Sequence, residues 1–218
     1  MILSSLLAND CVGCRAPDGP LCHRCRFAIA STPPVASGGV VVAALPFDGV
    51  GRALVVGLKF RNRRRAVAPL AALIARRLPI GAVDVVTWAP TSSRRVGRRG
   101  FDQAELLARA VARQLGVPCR RLLYRQHGPP QTGRRRHERL DAPRFRARPG
   151  QRRVRVLLVD DVITTGSTFA AARRALESSG ALEVRCVAAA ATMPTRQPPR
   201  HVVRQPRLAA IGELAEAG

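Results

Sequence analysis

Apolar and polar residues fall into short blocks along this chain, and the period changes from block to block. Residues 40–47, VVVAALPF, are a continuous apolar run of strand length. Residues 54–60, LVVGLKF, are as apolar, and periodicity leaves strand or short helix open. Residues 66–78 put Val67, Leu70, Leu73 and Ile74 on one helical face, with Arg76 and Arg77 at the end and Pro79 beyond. Residues 83–90, VDVVTWAP, have the pattern of a buried strand. Residues 102–116 form a punctuated helix: Asp102 can cap it, Glu105 follows three residues later, and Gly116 closes it. A short strand at 117–124, the most apolar strand at 154–159, a helix at 167–179 closed by Gly180, and a strand at 183–192 complete the pattern. Strands alternating with helices predict an α/β fold, a mostly parallel sheet flanked by helices.

The segments between these blocks are unlike one another. Residues 30–39, ASTPPVASGG, read as a linker. Residues 91–100, TSSRRVGRRG, read as an arginine-rich loop. Residues 126–151 are basic, have no period and read as a mobile loop, of a length that in compact domains often marks a functional lid. The division expected is a small cysteine module at 1–29, the linker at 30–39, the main α/β domain at 40–193 and a basic, proline-rich tail at 194–218, with a short helix near 208–217.

Composition adds a constraint. Aromatics are only 4% of 218 residues, so the core must rest on Leu, Val, Ile and Ala. The formal charge is +23, almost all of it arginine, and Lys59 is the single lysine. Such a chain favours polyanionic partners, phosphates or nucleic acid. No run approaches the ~20 apolar residues of a membrane span. The first ten residues lack the basic start of a secretory signal, so a cytoplasmic protein is expected.

Four of the six cysteines lie in CVGCRAPDGPLCHRC: Cys11, Cys14, Cys22 and Cys25. Each Cys-x-x-Cys lets two thiolates curl around one ion, and the Gly/Pro-containing turn returns the chain for the second pair. Structural zinc is expected, because four protein ligands leave no open position for chemistry. His23 lies inside the second pair as an alternative ligand. Cys119 and Cys186 fall in strand segments and read as core.

The last feature is VRVLLVDDVITTGSTF, residues 154–169. An apolar strand runs into two adjacent carboxylates, Asp160 and Asp161, then into the loop Thr164, Thr165, Gly166, Ser167, Thr168. Backbone N–H groups and hydroxyls at a helix start can wrap a phosphate, and Gly166 permits the tight path. Carboxylates suit sugar hydroxyls or a magnesium ion. A ligand carrying a phosphate beside a diol, a ribose 5-phosphate, satisfies both halves. A nucleotide P-loop would need a Gly-Lys-Ser/Thr sequence that is absent here. A receiver domain would need most of its length after this strand.

Residues 156–168 closely resemble the phosphoribosyl-diphosphate (PRPP) motif of type I phosphoribosyltransferases. The four cysteines, GLKF, a strand ending in Pro90, RRVGRRGFDQAE, a later QTG with Arg139 and this motif occur in the order found in the competence protein F (ComF) family. The resemblance spans roughly residues 11–192. It implies PRPP or a nucleotide bound with Mg²⁺, with Asp160 and Asp161 at the ribose hydroxyls or the ion, and Thr164–Thr168 on the 5-phosphate. It also implies Arg95, Arg99 and Lys59 on the diphosphate, and a lid at 126–151 that includes Gln131. Phosphoribosyl transfer to a nitrogenous acceptor would follow, or PRPP sensing without turnover. The family is associated with DNA uptake, so single-stranded DNA and a helicase-like competence protein are implied partners. The chain departs from the family pattern at Trp88-Ala89, Asp102 and Ala142, where Pro-Val, Asn and Asn are common. Trp88 is left between core packing and stacking on a base.

Overall fold

Two strands at the centre of the sheet explain why the rest assembles around them. β6 (Arg155–Ile163) and β7 (Glu183–Ala191) are apolar on both faces. Leu157 and Val159 of β6 face one core, while Val156, Leu158 and Ile163 face the other. A strand buried on both sides needs cover on both sides, and parallel neighbours with helical crossovers supply it. The computed structural model describes residues 10–37, 41–60, 63–79, 81–126, 143–150 and 153–192.

The main sheet has five strands in the order β1-β2-β7-β6-β3. Here β1 is Val35–Ser37, β2 is Val41–Pro46 and β3 is Val85–Trp88. The β2–β7, β7–β6 and β6–β3 pairs are parallel, and only β1 runs antiparallel, at the β2 edge. The segment read as a linker therefore contains an edge strand. Helices α1 (His23–Ser31), α2 (Gly49–Phe60), α3 (Val67–Arg76), α4 (Ser93–Arg99), α5 (Gln103–Leu115) and α6 (Ser167–Ser178) complete the main elements. The ambiguous segment 54–60 belongs to α2, which buries Leu54, Val55 and Leu58.

α5 starts and stops where its sequence says. The Asp102 carboxylate accepts from the Ala104 N–H, and Gly116 closes the helix in a left-handed conformation. α3 and α5 pack together over one sheet face and bury Leu70, Ile74, Leu107 and Val111 completely. α6 covers the other face with Phe169, Ala172 and Leu176. A ribbon of β4 (Leu123–Gln126) and β5 (Arg144–Ala147) extends the second core.

Three expectations change here. Residues 93–99 are a helix rather than a loop, with the Gly100 N–H closing onto the Val96 carbonyl at 2.7 Å. Arginine is a good helix former, so the pairs Arg94-Arg95 and Arg98-Arg99 do not themselves signal irregular backbone. The strand expected at 117–124 is instead a single bridge at Cys119, followed by β4 four residues further on. Within the expected lid, Arg144–Ala147 form β5 and pair with β4. Gln131, Arg139, Ala142 and the possible helix at 208–217 lie outside the described residues. Among the described residues no helix is long and apolar enough to cross a membrane.

Candidate functional site and metal centre

β6 does not stop at its apolar residues. It continues through Asp160 and Asp161 to Ile163, still paired with β7, with Asp160 opposite Ala188 and Ile163 opposite Ala191. On its other side β3 ends at Trp88 opposite Val159, and the Ala89 N–H donates to the Val159 carbonyl at 3.2 Å. The chain then leaves through Pro90 toward α4. The two carboxylates thus sit where β6 has lost one neighbour, at the carboxyl end of a parallel sheet, where such sheets bind ligands.

Basic side chains from distant segments converge on this opening. The Lys59 ammonium, at the end of α2, lies 2.7 Å from Asp161 Oδ1, and both side chains are mostly covered, at 20% and 13% exposure. Arg99 of α4 stacks over the Phe60 ring at 5.0 Å, and its Nη1 donates to Gln103 Oε1 at 2.8 Å. Burial pushes the Arg99 pKa down, while the negative charge of Asp161 pushes it up. Arg95 stands one turn earlier on α4, close enough that its charge acts on Arg99. Arg125 of β4 is also lowered by burial; the charge of Arg95 adds to that, and Asp160 and Asp102 oppose it. Sequence reading missed Arg125. It falls between the strand expected at 117–124 and the lid expected at 126–151, and the ribbon brings it back to the carboxylates.

The three carboxyls are held differently. Asp161 is ion-paired with Lys59. Asp102 accepts from the Thr91 N–H at 2.9 Å and the Ala104 N–H at 3.0 Å, yet burial raises its pKa. Asp160 keeps some exposure as a residue but lies deep among protein atoms. Burial, then the neighbouring Asp161 charge, raise its pKa well above the carboxylate range, against the Asp161 N–H it accepts at 2.7 Å and the Lys59 charge.

The hydroxyl loop lies directly beyond. Thr164, Thr165 and Ser167 are exposed, and the Ser167 N–H and the Thr165 and Ser167 hydroxyls form a small network. Gly166 takes φ 75° and hands the chain to α6. A cavity of about 980 Å³ between the ribbon and α6 lies elsewhere and is lined by none of these groups. A second cavity of about 720 Å³ opens beside Thr91, Phe101 and Asp102, with Trp88 in its wall. Trp88 is otherwise core, at 4% exposure.

The cysteines make a second site. The sulfurs of Cys11, Cys14, Cys22 and Cys25 all lie within 4.8 Å of one another. A tetrahedral ion with bonds of about 2.3 Å needs sulfurs ~3.8 Å apart, so this donor set fits a metal ion. The Cys22 N–H points at Cys11 Sγ at 3.4 Å and the Cys25 N–H at Cys22 Sγ at 3.5 Å, which favours thiolates. Burial raises Cys11, but backbone N–H donors prevail and hold it near 6. A side-chain carbon at Gly13 would lie 2.8 Å from Cys25 Sγ, so the first knuckle requires glycine. His23 is exposed and is not part of the cluster. Cys11, Cys22 and Cys25 pack in the same core as Leu45 and Leu54, so the cysteine segment is built onto β2 and α2.

Residues 102–208 match the phosphoribosyl transferase domain family. The chain is 35% identical over 149 residues to the DNA utilization protein YhgH of Salmonella typhi, covering 60% of this chain and 63% of that protein. The protein of the same name from Salmonella typhimurium gives the same figures. Among solved structures, adenine phosphoribosyltransferase of Leishmania tarentolae aligns at 15% identity and TM-score 0.44, covering 73% of this chain and 94% of that one. Glutamine PRPP amidotransferase of B. subtilis aligns at 24% and 0.43, covering 58% and 26%. The second half of the chain is thus similar to phosphoribosyl transferase domains, behind a four-cysteine cluster able to hold a metal, and the chain spans less than two thirds of the length of the DNA utilization proteins it matches.

Proposed function

We propose that the β6 opening binds PRPP, or a ribose 5-phosphate nucleotide, together with Mg²⁺. The observation that carries this is the continuity of β6 through Asp160 and Asp161 into the Thr164–Thr168 loop, with Lys59 and Arg99 brought alongside by α2 and α4. The loop hydroxyls and N–H groups hold the 5-phosphate at the start of α6. Asp160 and Asp161 orient the ribose hydroxyls. Arg95, Arg99 and Lys59 take the diphosphate, where guanidinium forks match phosphate oxygens. Bound Mg²⁺ would neutralise diphosphate charge, and the carboxyls are the groups suited to hold it directly or through water. Transfer of the phosphoribosyl group to a nitrogenous acceptor releases diphosphate, and preorganised cations favour that departure. Zinc in the four-cysteine site is the structural ion of an N-terminal module, residues 1–29, ahead of the transferase-like residues 40–193, in a cytoplasmic protein.

Calorimetry with Mg²⁺ and PRPP tests the site. Binding that Asp160→Asn and Asp161→Asn both weaken supports it, and binding indifferent to both sinks it. Diphosphate release with a panel of bases separates turnover from sensing.

A second role, binding single-stranded DNA beside a helicase-like competence partner, is favoured by the ribbon. Arg144 and Arg146 alternate with Phe145 and Ala147 and are exposed, and Tyr124, opposite Arg146, is 40% exposed. Same-face residues of a strand lie ~6.8 Å apart, a spacing that lets successive arginines meet successive backbone phosphates beside an aromatic platform. Arg144→Glu/Arg146→Glu should weaken oligonucleotide binding and flatten its salt dependence. An unchanged salt slope removes the ribbon from this role.

A further inference from the structure

Gln103 is buried to 1% exposure and, with Thr87, is one of two buried polar side chains among the described residues. Thr87 is satisfied, its hydroxyl accepting from the Leu122 N–H at 3.2 Å. Gln103 is only half satisfied. Its Oε1 accepts from Arg99 Nη1 at 2.8 Å, while its Nε2 has no partner among the described residues. A buried amide with an unmade hydrogen bond costs stability that an apolar side chain of similar size would not. The first residue of α5 therefore carries a group that packing alone does not favour, and its one hydrogen bond goes to Arg99.

The local fold explains how the contact arises. Gly100 ends α4 in the left-handed conformation, and Asp102 starts α5 two residues later. That turn folds Gln103 back beneath Arg99. The guanidinium is then held by Gln103 from α5, by the Phe60 ring from α2, and by the charge of Asp161 from β6. Only Nη1 of Arg99 carries a hydrogen bond to a described residue; Nε is buried without a partner. An arginine fixed through one N–H keeps its charge in place with other donors uncommitted.

We propose that Gln103 is a positioning residue that aims Arg99 at the diphosphate end of the ligand. This rests on the PRPP reading above. The test is calorimetry of the full chain with three probes, Mg²⁺-PRPP, diphosphate and ribose 5-phosphate, together with thermal melting, for wild type, Gln103→Leu and Gln103→Met. Losing a hydrogen bond to a charged group should weaken PRPP and diphosphate by about tenfold or more. Ribose 5-phosphate, which does not reach Arg99, should bind as before. The melting temperature should change little, because the unpartnered amide N–H and the acceptor of Arg99 Nη1 are removed together. Equal weakening of all three probes would mean an ordinary structural glutamine and overturn the proposal. A wild type that binds PRPP and diphosphate, with both variants unchanged, overturns this proposal alone. A wild type that binds neither overturns the PRPP reading and this one with it.

Discussion

Replacing the two adjacent aspartates of β6 one at a time should change stability in opposite directions. Asp161 is ion-paired with Lys59 at 2.7 Å, with 13% and 20% of the side chains exposed. At an effective dielectric constant of ~20, two unit charges at that distance attract by about 6 kcal/mol. Desolvation of both groups cancels most of this. Exposed pairs are worth ~0–1 kcal/mol, and removing one partner of a fully buried pair costs ~3–5 kcal/mol. A mostly covered pair lies between, so Asp161→Asn should cost ~2 kcal/mol, or about 4–8 °C in a domain of this size. Asp160 can lean toward the stranded ammonium and keeps the loss from the upper end. Asp160→Asn has the other sign. It removes a buried carboxyl that is pushed up by burial and then by the Asp161 charge, leaves the Lys59 pair intact, and its amide oxygen can still accept from the Asp161 N–H.

The pH dependence sharpens this. The folded chain holds the Asp160 proton more tightly than the unfolded chain. Wild-type stability therefore falls as pH climbs from the ordinary carboxylate value near ~4 toward the raised folded value, and is level above it. Asp160→Asn should show no such fall, so its advantage is small at pH 4 and widens toward pH 7. Melting curves of wild type and both variants across that range are the assay, with Mg²⁺-PRPP titrations in parallel. Both substitutions should weaken PRPP although one stabilises the fold. An Asp160→Asn variant that melts below wild type at pH 7, or whose advantage does not grow with pH, would refute the electrostatic picture.

Removing the metal should loosen the first core: chelation or Cys25→Ser is expected to lower the melting temperature and release one zinc per chain by elemental analysis, whereas an unchanged melt without metal would remove the structural role. Asp84 is held near 2 by hydrogen bonds from the Arg155 side chain and N–H, so its contribution is present above the ordinary value of ~3.9 and is lost as pH falls through 2; Asp84→Asn should flatten that acid limb in melts between pH 2 and 5. Gly166→Ala should cost about 1–2 kcal/mol because φ there is 75°, and should weaken ribose 5-phosphate binding, with strain rather than collision as the cause since the nearest atom would stand 3.7 Å away.

Much of the fold was legible because the period of apolar residues directly reports burial. β6 and β7 read as buried strands, α3 and α5 as amphipathic helices, and Asp102 and Gly116 marked the ends of α5. The errors share a cause. Residues 91–100 looked irregular because charge and glycine outweighed pattern, yet a seven-residue helix with one partly buried side needs little apolar content. β5 reads Arg-Phe-Arg-Ala, an alternation too short to stand out from the basic residues around it, and its pairing with β4 is set by tertiary contact. The apolar pattern ends β6 at Val159, because aspartate breaks the run, but backbone pairing with β7 continues regardless of side-chain charge. The site motif was legible as a string. The separate roles of its members were not, since Lys59, Arg99 and Arg125 reach it only through the fold.

Those partners divide the work of two residues that the sequence presents as equals. Under the proposed reading, three carboxyls in one opening would repel a polyphosphate, and the charges of Lys59, Arg95, Arg99 and Arg125 oppose theirs. The opposition is uneven. Asp161 has a direct counter-ion at 2.7 Å, and Asp102 is tied to the backbone by two N–H groups. Among the described residues Asp160 accepts only from its neighbour's N–H, and burial and then the Asp161 charge drive its pKa far up. A group in that position is the easiest to satisfy with an incoming donor or cation, because it has the most to gain from one. Under the proposed reading, Asp160 is the carboxyl that meets the ribose hydroxyl or the metal's water, and Asp161 chiefly keeps Lys59 at hand for the diphosphate.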